Sequence, residues 1–325
     1  MPLSIRGMPL RTGLAATLID SLARKSVADC TLAEIEAARE RLYPRSGPLA
    51  AIFGRIRRDV TIDTKSAPAR DGHEIPLRVY RPRRPGPAPA PVVIFFHGGG
   101  WVWGNVVNYD PLCTALAEDV GAVVISVDYR LAPHFRAPVA AHDCIDASTW
   151  IADHANTLGG DGTAMAVCGD SAGGNLAAVV AQAFRDRGRT GLRHQCLIYP
   201  ATDMTMASPS IVEHADGAIL NEAAIHAFAD HYVPDPGDRT DPIVSPLFGD
   251  LSNLPPALIQ TADLDPIRDD GIRYAAALRE AGVEVRLTNY VGAPHGFATV
   301  PGAYPAARQH RAEIVTELRR FLQPV

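Results

Sequence analysis

The sequence lacks several features that would assign it to a specialised class of protein. Its 325 residues include only five cysteines, an odd number without CxxC spacing, which disfavours both a disulfide framework and a zinc site. No apolar run is long enough to cross a bilayer, and residues 1–10 have neither the apolar core nor the cleavage pattern of a signal peptide. We therefore expect a cytoplasmic protein with reduced thiols and no stable membrane insertion.

A strong charge of either sign is also missing. The chain has 36 acidic and 31 basic residues, and the resulting net charge of −5 is too small to indicate a nucleic-acid partner. Hydrophobic residues make up 47% and charged residues 21%, which is ordinary for a soluble globular protein. The length suits one large α/β domain with an insertion.

Short apolar runs predict the fold class. Residues 60–64 and 75–81 alternate and predict an antiparallel hairpin, which a Pro-rich surface loop follows. Continuously apolar runs then alternate with helix-like segments, as parallel strands do when both faces are covered. We predict an α/β fold with a mostly parallel, doubly wound sheet. The runs are 92–96, 122–127, 164–168, 196–199, 257–261 and 283–290.

Helical spacing predicts a cap on this sheet. Leucines 14, 18 and 22 repeat at four-residue steps, and Thr31 with Glu34 forms a capping-box pattern ahead of a segment whose Leu32, Ile35 and Leu42 would share one face. The strand pattern lapses again at 201–241, with helical spacing around 223–232. We predict N-terminal cap helices over 1–55, a cap insertion over 201–241, and a core formed by 56–200 and 242–325.

Two further helices have clear C-terminal signals. The segment 172–187 is followed by Gly188, and 272–281 is followed by Gly282. Glycine suits the left-handed position that ends many helices.

The string Gly169-Asp-Ser171-Ala-Gly173 carries the strongest chemical signal. It matches G-x-S-x-G, follows an apolar run and opens a helix, the context in which a sharp turn exposes the serine oxygen. The helix N-terminus presents backbone N–H groups to developing negative charge. The structural alternative is a tight turn with an incidental serine. We predict that Ser171 is a nucleophile.

A glycine-rich loop, His97-Gly-Gly-Gly100, follows the run 92–96. Glycine tolerates the dihedral angles that turn backbone N–H groups inward, so this loop predicts half of an oxyanion hole. A merely flexible loop before Trp101 and Trp103 is the alternative. A phosphate cradle is disfavoured because neither Gly-rich nucleotide-binding pattern is present.

An acid and a histidine follow Ser171 in the order that this kind of fold imposes. Asp265 comes just after one apolar run and His295 after the last one, so both belong at the carboxyl ends of strands. We predict His295 as general base and Asp265 as the carboxylate that orients it. His97 is the rival base, but it adjoins the glycine loop and more simply hydrogen-bonds that loop.

Four aspartates compete for the place of the acid. Pro266 biases Asp265 towards an extended backbone, while Asp269 and Asp270 fall at a helix start, where acidic side chains commonly satisfy free N–H groups. Asp263 lies two residues closer to the strand. We choose Asp265 and assign a capping role to Asp269 and Asp270.

From about residue 92 to 297 the chain resembles the hormone-sensitive-lipase-like family of bacterial carboxylesterases, also called family IV. The resemblance implies an α/β-hydrolase fold with a helical cap, an oxyanion hole formed by the N–H groups of Gly99, Gly100 and Ala172, and no cofactor or metal. Asp265, the first Asp in Asp265-Pro-Ile-Arg-Asp269, stands at the position of the family's triad acid. The other marks are His97-Gly-Gly-Gly-Trp101, Asp128-Tyr-Arg-Leu-Ala-Pro133, Gly169-Asp-Ser-Ala-Gly-Gly174, Ser245-Pro-Leu-Phe248 and His295-Gly-Phe297.

Two histidines depart from the family pattern. His134 stands where glutamate usually follows Tyr-Arg-Leu-Ala-Pro, and His142 replaces an acidic residue that commonly precedes Asp143. The triad residues are all present. We therefore expect a serine carboxylesterase that hydrolyses short-to-medium acyl esters of small molecules, as a monomer or a homodimer. An amide or lactam hydrolase with the same triad, and a non-catalytic small-molecule receptor, are the alternatives.

Overall fold

Eight strands form one sheet in the part of the chain that the computed structural model describes, which is residues 13, 25–84, 86 and 89–323. Their order across the sheet is β1-β2-β4-β3-β5-β6-β7-β8. The strands are β1 (Val60–Pro68), β2 (Glu74–Pro82), β3 (Ala90–Phe96), β4 (Val123–Val127), β5 (Gly160–Asp170), β6 (Leu192–Ile198), β7 (Ala257–Leu264) and β8 (Val285–Pro294).

The direction of the strands confirms the predicted fold class. β1 and β2 form the expected antiparallel hairpin, with Val60 opposite Pro82. β2 also runs antiparallel to β4, and every pairing from β4 through β3 to β8 is parallel. The carboxyl ends of six strands therefore share one edge of the sheet, where the loops that follow them can meet.

Helices cover both faces of the sheet, as continuously apolar strands require. Along β3, Ile94 and Phe96 pack in one core layer and Val93 and Phe95 in the other. Helices α4, α5 and α8 cover the first layer, and α3 and α9 the second. The helices are α1 (Leu32–Arg39), α2 (Gly47–Phe53), α3 (Asp110–Val120), α4 (Val139–His154), α5 (Ala172–Asp186), α6 (Pro209–Glu213), α7 (Glu222–Tyr232), α8 (Arg268–Glu280) and α9 (Ala306–Leu322).

Helix α1 begins with the predicted capping box but ends early. Thr31 N–H donates to the Glu34 carboxylate at 2.8 Å, and Glu34 N–H donates to Thr31 Oγ1 at 3.3 Å. The expected shared face is wrong: Ile35 is buried, whereas Leu32 and Leu42 are exposed. Leu42 lies beyond the helix because residues 40–46 leave helical geometry.

Asn108 explains this break. Its side chain accepts from the N–H of Tyr43 at 2.9 Å and donates to the carbonyl of Arg41 at 2.9 Å, so long-range bonds replace the helical ones. The helix predicted from leucines 14, 18 and 22 lies outside the described residues.

The ends of α5 and α8 agree with the glycine signals. Gly188 and Gly282 have φ of +61° and +80°, the left-handed conformation expected after a helix. α8 begins at Arg268, four residues before the predicted start at 272. None of the helices in the described ranges is both long and apolar enough to cross a bilayer.

Candidate active site

Ser171 lies in the sharp turn between β5 and α5. Its backbone has φ 54° and ψ −119°, a strained conformation for a residue with a side chain, and its N–H donates to the carbonyl of Ile198 at 2.8 Å. Helix α5 passes so close to β3 that a Cβ on Gly173 would lie 2.0 Å from the Phe96 carbonyl oxygen. The glycine that ends the motif therefore lets the helix start directly beneath the serine.

Ser171, Asp265 and His295 follow directly after the carboxyl ends of β5, β7 and β8, and their side chains meet. His295 Nε2 lies 3.0 Å from Ser171 Oγ, and His295 Nδ1 lies 2.7 Å from Asp265 Oδ2. Asp265 is fully buried, and its other oxygen accepts from the N–H of Ile267 at 2.9 Å. With Nδ1 protonated, the free Nε2 lone pair faces the serine hydroxyl, as a general base requires.

The other aspartates near Asp265 in the chain have different partners. The carboxylate of Asp263 accepts from the Asn289 amide at 3.1 Å and from the N–H of Gly292 at 3.0 Å, on the side of β8. It has no bond to His295. The structure therefore brings Asp265, and not Asp263, to the histidine.

The expected capping of α8 by Asp269 and Asp270 is wrong in detail. Asp269 accepts from the N–H of Ser210 at the start of α6, and Ser210 Oγ accepts from the N–H of Asp269 at the start of α8. Asp270 is buried, and its carboxylate accepts from the N–H groups of Thr202 and Asp203 and from the Ser208 hydroxyl. Both aspartates thus join the first turn of α8 to the insertion.

The glycine loop after β3 has its peptide planes fixed by hydrogen bonds. The Gly98 carbonyl lies 2.8 Å from His97 Nδ1, and the Gly99 carbonyl accepts from Val102 and Trp103 N–H groups at 3.1 and 2.8 Å. In a trans peptide the N–H points opposite to the carbonyl. The N–H groups of Gly99 and Gly100 are therefore turned away from these bonds, and both residues line the same cavity as Ser171.

Ala172 supplies the third expected donor position. It is the first residue of α5, so its N–H belongs to the group that lacks a partner within the helix. Gly99 could not be replaced, because its φ is +125° and a Cβ would lie 2.3 Å from the Trp103 carbonyl oxygen.

Residue Asp170, which the sequence analysis did not single out, connects the serine turn to the glycine loop. Its carboxylate accepts from the Gly98 N–H at 2.9 Å and from the Tyr109 hydroxyl at 3.0 Å. Burial raises the pKa of Asp170 to about 6. The motif contains Asp170, but its partners are 61 and 72 positions away, and a single sequence does not show which residues pair over such distances.

His97 binds the glycine loop as predicted. It is fully buried, and burial lowers its pKa. Its Nδ1 faces the Gly98 carbonyl, and its Nε2 has no hydrogen-bond partner among the described residues. No carboxylate in the described part of the chain therefore orients this imidazole as a general base would require.

The two departures from the family pattern lie in and just after the loop that follows β4, residues 128–138. His134 Nε2 lies 2.6 Å from a carboxylate oxygen of Glu36 on α1. His142 is half-buried on α4, and burial lowers its pKa. The loop itself is held by Asp143, which accepts from the backbone N–H of Arg130 at 3.0 Å and from its guanidinium at 2.7 Å.

A cavity of about 500 Å³ opens in front of Ser171. Two of the charged groups that line it are in ion pairs, Lys25 with Glu34 at 2.8 Å and Asp203 with Arg273 at 2.6 Å, and the other two are the hydrogen-bonded carboxylates of Asp170 and Asp270. Most of the wall is apolar and comes from the glycine loop, the N-terminal segment and the insertion. Apolar residues of the wall include Val27, Trp103, Met204, Met206, Leu220, Ile225 and Phe228.

This arrangement suits acyl transfer. It combines a hydroxyl, a histidine oriented by a buried carboxylate, and backbone N–H groups of a fixed loop beside an apolar cavity. Within the described ranges, His, Cys, Asp and Glu side chains nowhere gather in the threes that a metal site would need.

Known proteins are similar to this chain in sequence and in fold. A family model described as alpha/beta hydrolase fold matches residues 93–299. A protein named ethyl acetate hydrolase from Pseudomonas putida is 38% identical over 292 residues, covering 89% of this chain and 91% of that protein. A protein named esterase LipI from Mycobacterium tuberculosis is 41% identical over 292 residues, covering 89% of each.

Solved structures agree. A hyperthermophilic esterase from the archaeon Pyrobaculum calidifontis superposes with a TM-score of 0.85 and 38% identity, over 98% of this chain and 99% of that one. A thermostable esterase from Pseudomonas putida gives a TM-score of 0.86 and 32% identity, again over 98% and 99%.

Proposed function

From the premise that this chain belongs to the alpha/beta hydrolase family, as a hormone-sensitive-lipase-like carboxylic ester hydrolase, we propose that Ser171, His295 and Asp265 are its catalytic triad. One observation carries the proposal: an unbroken line of contacts at 3.0 and 2.7 Å runs from Ser171 Oγ through the imidazole to a buried carboxylate.

The reaction proceeds through an acyl-enzyme in this proposal. Ser171 Oγ attacks the ester carbonyl carbon while His295 Nε2 accepts the hydroxyl proton, and Asp265 stabilises the imidazolium. The tetrahedral intermediate collapses, and the leaving alcohol takes that proton. Water then repeats the sequence on the acyl group, which releases the carboxylic acid and restores Ser171.

The oxyanion is held by the backbone N–H groups of Gly99, Gly100 and Ala172. Support comes from the fixed carbonyls of Gly98 and Gly99, which leave the following N–H groups free, and from the position of Ala172 at the first turn of α5. Such preorganised donors stabilise charge that develops only in the transition state.

We propose that the substrates are small, uncharged esters with short-to-medium acyl groups. A cavity of about 500 Å³ with a mostly apolar wall favours compact apolar groups. Of the charged residues at its wall, Lys25 and Asp203 are in ion pairs, and the carboxylates of Asp170 and Asp270 already accept hydrogen bonds from the protein, so a charged substrate would gain no free counter-ion from them.

The cap of this proposal comprises residues 1–55 and 201–241, with the remainder as catalytic core. Val27 and insertion residues such as Phe228 line one cavity above the serine. Arg39 of α1 donates to the carbonyl of Val102, just after the glycine loop, at 2.8 Å. Helix α2, at the end of the N-terminal segment, joins the cap to the core, where the carbonyl of Ile52 accepts from Gly302 N–H at 3.0 Å.

We also propose a cytoplasmic location and a homodimer. All five cysteines are free thiols, which suits a reducing compartment. β8 is an edge strand with an exposed Val291, and such an edge can pair with a second copy. Light scattering of the purified protein and of a Val291→Lys variant would test the dimer.

A hydrolysis panel tests the function. p-Nitrophenyl esters graded from two to sixteen acyl carbons are assayed with the wild type, with Ser171→Ala, and with Ser126→Ala as a matched control for loss of a buried hydroxyl. We expect Ser171→Ala to lose at least about three orders of magnitude in kcat while remaining folded. Wild-type-like turnover by Ser171→Ala would overturn the triad, and faster turnover of the longest esters would overturn the substrate class.

A further inference from the structure

We infer that Asp170 is a positioning residue that fixes the separation between the nucleophile and the glycine loop, and so sets the geometry of the oxyanion hole. The inference rests on the proposed function, because it assumes that Ser171 attacks and that Gly99 and Gly100 bind the oxyanion. It assigns a task to a carboxylate that the triad mechanism does not use.

Contact between Asp170 and the glycine loop is direct. Oδ1 accepts from the Gly98 N–H at 2.9 Å, and the loop passes so close that a Cβ on Gly98 would lie 2.6 Å from Oδ2. Asp170 is also joined covalently to Ser171. One side chain therefore connects the residue before the nucleophile to the residue before the first proposed oxyanion donor.

The bond to Gly98 completes the restraint of the loop. His97 and the N–H groups of Val102 and Trp103 hold the two following peptide units by their carbonyls, as described above. Without Asp170 the loop would keep its internal shape but lose this tie to Ser171. A shift of the whole loop would then displace both N–H donors from the position of the oxyanion.

A carboxylate suits this place because all its surroundings donate. Besides Gly98, the Tyr109 hydroxyl donates to Oδ2 at 3.0 Å, and the Tyr199 hydroxyl lies 3.4 Å away. An ionised carboxyl group has two acceptor oxygens and no donor. An apolar residue would leave buried donors unpaired, which is costly.

The Tyr109 hydroxyl has a second function in the network. It accepts from the same Gly98 N–H at 3.0 Å while it donates to Asp170. Tyr109 therefore braces the contact from the side, and a Tyr109→Phe variant removes the brace while the Asp170 side chain stays in place.

The test separates positioning from simple stability. Asp170→Asn, Tyr109→Phe and the wild type are compared for kcat and KM with p-nitrophenyl butyrate. Inhibition by a short alkyl trifluoromethyl ketone is also measured, because its adduct with serine carries an oxyanion. We expect Asp170→Asn to lower kcat about 10- to 100-fold and to weaken the ketone by a similar factor, with KM changed less than about twofold. Tyr109→Phe should lower kcat and weaken the ketone by a smaller factor, again with KM nearly unchanged.

Glu317→Gln is the matched control, since Glu317 is another buried carboxylate, on α9, with Arg286 as its partner at 3.0 Å. Glu317→Gln should lower Tm but leave both kcat and the affinity for the ketone near their wild-type values. The inference is overturned if Asp170→Asn keeps kcat, or if KM rises as much as kcat falls. Should Asp170→Asn not fold, Tyr109→Phe decides by the same criteria. An inactive Ser171→Ala alongside an unaffected Asp170→Asn would reject this inference and leave the triad standing.

Discussion

Asp265 Oδ2 lies 2.7 Å from His295 Nδ1, whereas Asp263, only two residues earlier, bonds the backbone N–H of Gly292 at 3.0 Å. The pairing of β7 with β8 shifts register between Ala262 and Leu264, just where the two aspartates diverge. Two aspartates that are only two residues apart thereby bind different partners.

This divergence predicts unequal effects of one substitution. Asp265→Asn should lower kcat by about 10⁴-fold, because the amide no longer holds the histidine tautomer whose Nε2 faces Ser171. Asp263→Asn should change kcat by less than about fivefold, since it alters only bonds beside β8. Steady-state kinetics and Tm measure both; a larger catalytic loss in Asp263→Asn would move the acid to that position.

The strands of this fold could be predicted because their signal is local. All eight expected strands are present, since buried parallel strands need continuous apolar runs that one sequence displays. The observed strand ends differ from the predicted ones: β5 extends from Gly160 to Asp170, although its apolar run covers only 164–168. Polar end residues join the sheet through bonds to neighbouring strands, which the run itself does not encode.

Long-range bonds account for what the sequence did not predict. The break after α1 depends on Asn108, and the roles of Asp269 and Asp270 depend on residues 202–210. The meeting of Ser171, Asp265 and His295 was predictable, because the carboxyl ends of parallel strands lie at one edge of the sheet. The hydrogen bonds of Asp170 were not, because its partners come from distant parts of the chain.

Helix α5 offers a comparison of two glycines. Gly173→Ala would place a Cβ 2.0 Å from the Phe96 carbonyl oxygen, so the helix or β3 must move, and we expect a cost of about 3 kcal/mol or more. Gly188→Ala, at the other end, meets no neighbour within 4 Å and carries only the strain of φ +61°, about 1 kcal/mol. Denaturant unfolding checks the order, and equal losses would contradict it.

We expect the ionisation of Asp270 to make the free energy of unfolding depend on pH. Burial raises its pKa to about 7, well above the value of about 3.9 in an unfolded chain. The folded state therefore holds a proton that the unfolded state releases, and this contribution is complete below about pH 4 and lost as the pH rises through 7.

An amide at this position cannot ionise, yet it can accept from Thr202 and Asp203 N–H groups and donate to Ser208. We expect Tm to fall less between pH 5 and pH 8 in Asp270→Asn than in the wild type, by about 4 °C. Glu280→Gln, exposed at the other end of α8, should keep the wild-type profile. Parallel profiles for wild type and Asp270→Asn would disprove the assignment.

The insertion reaches the glycine loop through Phe228 on α7. A Cβ on Gly100 would lie 2.4 Å from the phenyl ring, and the ring meets Trp103 edge-on with centroids 5.3 Å apart. One turn later, Tyr232 stacks on Trp101 at 4.7 Å and anchors the same helix independently. Removing the Phe228 ring should therefore open the cavity without releasing α7.

We expect Phe228→Ala to lower kcat/KM for p-nitrophenyl acetate about tenfold, because water then reaches the proposed oxyanion donor and a small acyl group loses contact area. Turnover of the octanoate should fall less, since a longer chain can fill the vacated space, so the ratio of octanoate to acetate activity rises. Val212→Ala, an exposed apolar side chain of the same insertion, is the matched control and should leave this ratio unchanged. If Phe228→Ala lowers both esters equally, the ring supports the fold of the insertion instead of shaping the substrate cavity.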